Sequence, residues 1–394
     1  MPPSDPSPSE FVGPGTGPPL IRSPAEFTAL LEGLRREPLI AIDTEAASFH
    51  RYHDHVYLLQ LSTRTGTWIV DPLLVPGLPG LGQLLIDPDI ELVFHDADYD
   101  LRLLHQEFGF RAARLFDTRV AAQFLNEPGI GLAALLEKHF DVRLDKRFQR
   151  ADWSARPLSA AMLAYAALDT RWLPELRDHL RGELERRGRL AWVEEECRLL
   201  TGVRWPEPVA AEEAALAAKG ARNLSARQLA VFREVYVWRD RTAAALDRAP
   251  FRVLGNEALF ALTERLPGTP SELASVPGVG RDTIERRGEE ILDAVRRGLA
   301  LPEEALPRYE RARRHRPDLL FDMRLERLKA RRVELAQRLD LQTGVLAPNW
   351  LLEAVARAAP VNLAELERIE GVRRWQVETI GQELVAAIVQ RRSS

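Results

Sequence analysis

The sequence predicts an α/β domain built on a mixed sheet, followed by two small all-α domains. Three observations predict it. The apolar run Pro38-Leu39-Ile40-Ala41-Ile42 ends in Asp43-Thr44-Glu45 and reads as a buried strand. Segments of strand and helix character then alternate up to about residue 200, the pattern of a sheet flanked by helices. Beyond that, landmark residues recur 93 positions apart, which marks a duplicated module.

Residues 1–20, rich in Pro, Ser and Gly with little to bury, are expected to be a disordered tail. Ser23-Pro24-Ala25-Glu26 opens a helix in which Ser caps, Pro takes the first position and Glu completes a capping box. That helix runs to about Arg36 and leads into the Asp43 strand. Val56–Leu61 and Thr67–Val70 follow as strands, with Thr65-Gly66 as the turn between them. A helix near Leu78–Leu85, the strand Glu91–Phe94 and a helix with Leu101, Leu103, Leu104 and Phe108 come next. Further helices are expected near 118–125, 131–140 and 159–187. Val203-Arg204-Trp205-Pro206-Glu207-Pro208-Val209 then marks the exit from the first domain, placed at 21–205.

In the second half Asn256 and Asn349, Pro267 and Pro360, Leu273 and Leu366, and Gly278 and Gly371 all share the 93-residue offset. Each copy opens on an Arg-containing helix, Arg227–Leu246 and Leu319–Leu339, and closes on a turn into a last helix. A repeat of this length is a duplicated small helical domain rather than a solenoid unit, and it places the copies at 215–302 and 315–394. The basic stretch Arg308–Arg316 joins them, and both a solvated connector and an RNA-contacting patch fit it.

At 394 residues the chain should hold two or three domains. A hydrophobic content of 45% and a charged content of 28% exclude the disordered and fibrous classes. No apolar stretch reaches the length that spans a bilayer. The N-terminus has neither the basic start nor the apolar core of a secretory signal. Cys197 is the single cysteine, so no internal disulfide forms and a reducing, cytoplasmic setting is expected. With a net charge of −4, a partner of nucleic acid would need positive charge concentrated locally.

The chemistry-bearing residues are carboxylates. Asp43 and Glu45, two apart on a strand, point to the same side. Two close carboxylates repel unless a cation lies between them, and hard divalent ions prefer oxygen ligands. Taken alone, the triplet also suits a solvated turn. Asp100 falls early in its helix, where the partial positive charge favours a carboxylate. Tyr165 and Asp169 are four apart and share one helix face, an arrangement that also suits a core Tyr and a surface Asp.

In this order and context, Asp43, Glu45, Asp100, Tyr165 and Asp169 resemble the motifs of the DEDD superfamily of 3′–5′ exonucleases. The subclass is the one whose third motif is Tyr-x-x-x-Asp, here Tyr165 to Asp169. His95-x-x-x-Tyr99-Asp100 is similar to the second motif as ribonuclease D sequences show it. Ile69–Leu73, Leu144-Asp145-Lys146 and Asp152–Leu158 resemble the ribonuclease D pattern more closely, and the resemblance extends from about residue 21 to 394. The duplicated module resembles the HRDC domain. One departure is visible: Ala46 follows Glu45 where the family often has Phe.

The resemblance implies a ribonuclease H-like exonuclease core followed by two HRDC-like domains. It implies two divalent ions, Mg²⁺ or Mn²⁺, held by Asp43, Glu45, Asp100 and Asp169, with Tyr165 orienting the attacking water. The implied activity releases nucleoside 5′-monophosphates from the 3′ end of RNA. The implied substrates are tRNA precursors with a single-stranded 3′ end, met by a monomer without any membrane. A DNA exonuclease of repair and an RNA-binding protein with a decayed nuclease site are the alternatives. His95, Tyr99, Lys146, Trp153 and Arg156 are the candidates for RNA contact, combining cations with aromatic planes. Trp153 also suits plain helix–loop packing. His50, His53 and His55 superficially suggest a zinc site, but no fourth ligand is suitably spaced, and a loop beside the substrate groove suits them better. Asp96, Asp98 and Asp117 read as caps or structural acids. Val276–Gly280 reads as a tight helix–helix turn rather than a phosphate cradle.

Overall fold

The computed structural model describes residues 18–309 and 318–389. The expected tail therefore lies almost wholly outside the described residues, as does most of the basic linker. The chain forms two compact units. The first takes the described residues of Met1–Glu45, Val56–Trp205 and His315–Ser394; the second takes those of Ala46–His55 and Pro206–Arg314.

The first unit is built on a six-stranded sheet of β1 (Leu20–Ile21), β2 (Leu39–Glu45), β3 (Leu58–Ser62), β4 (Thr67–Val70), β5 (Glu91–Phe94) and β6 (Leu115–Asp117). The strand order is β1-β4-β3-β2-β5-β6. Strands β2–β3 and β3–β4 pair antiparallel, while β1–β4, β2–β5 and β5–β6 pair parallel, so the sheet is mixed as expected. Leu39 to Ile42 are all buried, the continuous apolar run of a strand covered on both faces. Two strands escape the sequence pattern. Leu20, assigned to the tail, pairs in β1 with Ile69. β6 has three residues, too few to show a period.

Helices α1 (Pro24–Leu34), α2 (Leu81–Leu85), α3 (Asp98–Phe108), α4 (Thr118–Phe124), α5 (Leu132–Phe140), α6 (Ala160–Arg171), α7 (Leu173–Arg186) and α8 (Leu190–Leu200) complete this part. The Ser23–Glu26 capping box of α1 is present. Asp117 caps α4 through the N–H groups of Arg119 and Val120, and also accepts from Asp96 and Ala97. The single helix expected over 159–187 is two, broken at Trp172. Pro174 is the cause, because its ring lacks an N–H and clashes with the carbonyl one turn back. It restarts the helix in the first turn of α7, where proline fits.

The helical repeat is matched element by element. In the second unit α9 (Ala211–Ala217) precedes α10 (Ala226–Leu246), α11 (Pro250–Val253), α12 (Asn256–Arg265), α13 (Pro270–Ala274) and α14 (Arg281–Ala300). In the first unit α15 (Leu319–Arg338), α16 (Thr343–Leu346), α17 (Asn349–Ala358), α18 (Leu363–Glu367) and α19 (Arg374–Val389) repeat the last five. One Arg–Asn bond recurs in each, from a buried arginine in the first copy and a half-buried one in the second. Arg239 donates to Asn256 Oδ1 at 2.7 Å, and Arg332 donates to Asn349 Oδ1 at 2.8 Å. Gly278 and Gly371 take φ of 81° and 88°, a turn that side chains resist.

Within the first unit the second repeat packs on α8. Trp375 stacks on Trp192 at 5.0 Å between ring centroids and meets Phe124 edge-on at 5.2 Å. Its Nε1 donates to Glu196, which also pairs with Arg373 at 3.0 Å. Within the second unit the segment Ala46–His55 is held by the first repeat. Asp247 accepts from the Tyr52 N–H at 3.2 Å, and the Tyr52 hydroxyl donates to Asp240 at 3.0 Å. Among the described residues no helix is long and apolar enough to cross a membrane.

Candidate active site

Asp43 and Glu45 stand on one face of β2, the central strand beside β3 and β5. Helix α6 lies across β2, β3 and β4 and is tied to the sheet by Ser62 Oγ and Thr170 Oγ1, 2.7 Å apart. That tie is one residue beyond Asp169, so it fixes where Asp169 meets the strand. Asp43, Glu45 and Asp169 each offer a ligand oxygen within 4.8 Å of the other two.

Asp100 is held separately. It is buried in the first turn of α3 and accepts from the Thr44 N–H at 3.2 Å and the Thr44 hydroxyl at 2.5 Å. Thr44 thus orients Asp100 from the far side of the strand that carries Asp43 and Glu45. Sequence reasoning passed over Thr44, since a threonine between two acids carries no pattern of its own.

Burial is the first cause that pushes the Asp43 carboxyl well above its usual range, and Asp169 adds to it. Glu45 is raised by burial, then by Asp43, Asp169 and Asp100. Asp100 is raised by burial and by Asp43, against the opposing Thr44 bonds. Burial lifts Asp169 to about 7. Among the described residues, the charges that raise Asp43, Glu45 and Asp100 are carboxylates. A convergent set of oxygen donors with uncompensated repulsion fits a hard divalent ion, whose charge would restore the ionised forms.

Tyr165 lies one turn before Asp169. Burial raises its hydroxyl above the usual range, followed by the charges of Asp169, Glu45 and Asp43. The phenol therefore stays protonated near these acids. Phe148 and Trp153 flank its ring at 5.7 and 6.1 Å.

The candidate RNA-contact residues divide. Tyr99 is 39% exposed next to Asp100, with the Trp205 ring at 6.2 Å. Lys146 is exposed in the segment between α5 and α6. His95 is pushed down to about 4 by burial and by Arg119, and its Nδ1 lies 2.9 Å from Thr118 Oγ1. Because that hydroxyl donates to the Phe94 carbonyl, Nδ1 carries the proton. Trp153 is not presented as a contact surface, whereas Arg156 is exposed while bonded within the fold. Trp153 is 1% exposed, which leaves no face for a base and makes packing its role. Arg156 grips Asp71 with two bonds of 2.8 and 2.9 Å and also donates to the Tyr57 carbonyl at 2.8 Å. Asp71 lies in the Ile69–Leu73 motif, but its pairing with Arg156 was not legible beforehand, because 85 residues separate the partners. His50, His53 and His55 form no metal-binding group among the described residues.

A family model for 3′–5′ exonucleases matches residues 19–185, and the HRDC domain model matches 228–295 and 321–388. Ribonuclease D of Gluconacetobacter diazotrophicus is 36% identical over 302 residues, covering 75% of this chain and 76% of that protein. Ribonuclease D of Granulibacter bethesdensis is 31% identical over 376 residues, covering 94% of this chain and 92% of that protein. Among solved structures, Escherichia coli RNase D, "an exoribonuclease involved in structured RNA processing", has a TM-score of 0.70 at 27% identity, covering 95% and 99% of the two chains. The catalytic core of RRP6 from Trypanosoma brucei has a TM-score of 0.65 at 32% identity, covering 75% of this chain and 86% of that one. Sheet, helical repeats and relatives agree: the chain belongs to the ribonuclease D family of 3′–5′ exoribonucleases.

Proposed function

We propose that the protein shortens RNA one nucleotide at a time from a single-stranded 3′ end, as a monomer acting on tRNA precursors, with two divalent ions at the acid cluster. The convergence of Asp43, Glu45 and Asp169 within 4.8 Å carries the reading. Asp43, Glu45 and Asp169 would hold the ions together with Asp100. When bound, divalent ions lower the pKa of water and stabilise charge on a leaving oxygen. RNA rather than DNA is supported by the relatives named above.

The chain's own residues position the reaction. Water oxygen bonds to the last phosphorus while the bond from that phosphorus to the preceding 3′ oxygen breaks. The 3′ oxygen leaves with a proton, and a nucleoside 5′-monophosphate is released. Tyr165, kept protonated by burial and by the acids around it, holds the water by hydrogen bonding rather than by taking its proton. Thr44 keeps the Asp100 carboxylate in place before any ion arrives. Tyr99 and Lys146 would meet the RNA. His95 stays neutral and braces the start of α3 through Thr118.

A 3′-labelled RNA and the matching DNA, each with and without Mn²⁺, test this directly. Mn²⁺-dependent release of 5′-monophosphates from RNA is expected. Preference for DNA would move the enzyme to repair chemistry, and binding without hydrolysis would identify a decayed nuclease.

A further inference from the structure

Gln60 occupies a position that the metal-free fold does not explain. It lies in the middle of β3, 0% exposed, and neither its Oε1 nor its Nε2 has a hydrogen-bond partner among the described residues. A buried amide left unpaired is costly, whereas an apolar side chain of similar shape is not. Everything around it on β3 is apolar or satisfied: Leu59 and Leu61 are core residues, and Ser62 is bonded to Thr170.

The sheet register supplies the missing partner. In the antiparallel β2–β3 pair, Gln60 stands directly opposite Asp43. Opposed residues share a face, with Cβ atoms about 5 Å apart. That face is the one carrying Glu45 on β2 and Ser62 on β3, so it lies under α6, which delivers Asp169. An Asp43 carboxylate that holds a cation only accepts hydrogen bonds and has more lone pairs than one ion engages. On the residue directly opposite Asp43, Gln60 Nε2 is a buried donor with nothing to donate to.

We infer that Gln60 is a positioning residue: in the ion-loaded enzyme its amide N–H donates to the Asp43 carboxylate and fixes the orientation in which Asp43 holds the metal. The inference rests on the metal-dependent reading of the acid cluster. It makes the residue type intelligible, since the amide is a burden on the empty protein and an asset in the loaded one. Donors that orient a ligating group typically change metal affinity or activity by about 10–100-fold.

The test uses full-length Gln60→Met, which keeps the length and burial of the side chain and removes its amide, with Gln60→Leu as a second variant. Two measurements are made: thermal unfolding in EDTA, and Mn²⁺ binding by calorimetry. The expected result is an unfolding temperature in EDTA equal to or above that of the unaltered protein, with Mn²⁺ bound about 10–100-fold more weakly. A purely structural glutamine gives the reverse. Loss of metal-free stability in both variants, or unchanged Mn²⁺ affinity in either, overturns the inference. Absence of Mn²⁺ binding by the unaltered protein would instead remove the metal-dependent reading itself.

Discussion

Asp247 and Asp340, 93 positions apart in the repeat, each follow the long first helix of their copy in a left-handed backbone conformation, with φ of 44° and 47°, and each grips something outside that copy. Asp247 accepts from the Tyr52 N–H at 3.2 Å; Asp340 accepts from Asn126 at 2.8 Å and Arg187 at 3.2 Å. The duplicated module has thus kept one attachment point and applied it to two different targets. Asp340 is well exposed, so its ion pair contributes little by itself. The weight of that attachment falls on the aromatic contacts of Trp375.

Trp375→Ala should therefore destabilise the protein by about 3–5 kcal/mol, the cost of removing a buried indole. Because Trp375 joins α19 to Trp192 of α8, chemical denaturation should show loss of the second repeat and loosening of the nuclease helices together. Two separate transitions, with the nuclease midpoint unmoved, would refute this.

The acid cluster predicts an inverted pH dependence of stability without metal. Its carboxyls are easier to protonate folded than unfolded, so their contribution is fully favourable below the ordinary carboxyl values of 3.8 and 4.5. It is lost as pH rises through the folded values, to about 7 for Asp169. In EDTA the protein should unfold at a lower temperature at pH 8 than at pH 5.5, and Mg²⁺ should close the gap. Asp169→Asn should flatten the profile and raise the pH 8 midpoint by about 2–4 °C per kcal/mol of repulsion removed. A midpoint that rises with pH in EDTA counts against the clustered geometry.

Asp43→Asn, Glu45→Gln, Asp100→Asn and Asp169→Asn should each abolish hydrolysis while the protein stays folded and binds RNA. Tyr165→Phe differs in kind. It should lower kcat by about 10²–10⁴-fold, the usual worth of a positioned proton donor or acceptor, and leave Mn²⁺ affinity unchanged. Full turnover in the Phe variant would show that the hydroxyl does not orient the water.

Arg156→Ala separates two roles for one cation. Its partner Asp71 is 2% exposed, and stranding a buried carboxylate costs about 3–5 kcal/mol. The variant should lose that stability while the salt dependence of RNA binding stays the same. Lys146→Ala should do the opposite, leaving stability intact and reducing the salt slope by about one phosphate contact.

What could be read beforehand follows the range over which each cause acts. The β2 strand, the capping box of α1 and the helical repeat depend on neighbours in sequence or on a fixed offset, and they were legible. So was the grouping of Asp43, Glu45 and Asp169, through the family resemblance. Thr44 as the support of Asp100, and Asp71 as the partner of Arg156, depend on residues 56 and 85 positions away. Trp153 suited both a stacking platform and helix–loop packing, and its burial against Tyr165 decides for packing.

The first unit is assembled from three stretches of chain, the last described from Asp318 onward. Synthesis runs from the N-terminus, so a nascent chain that has emerged through α8 displays Trp192 and Phe124 before Trp375 exists to cover them. More than a hundred further residues must leave the ribosome before that surface closes. The interval is a window in which chaperones have something to hold, and a shortened gene product stopping near Trp205 would remain in it permanently.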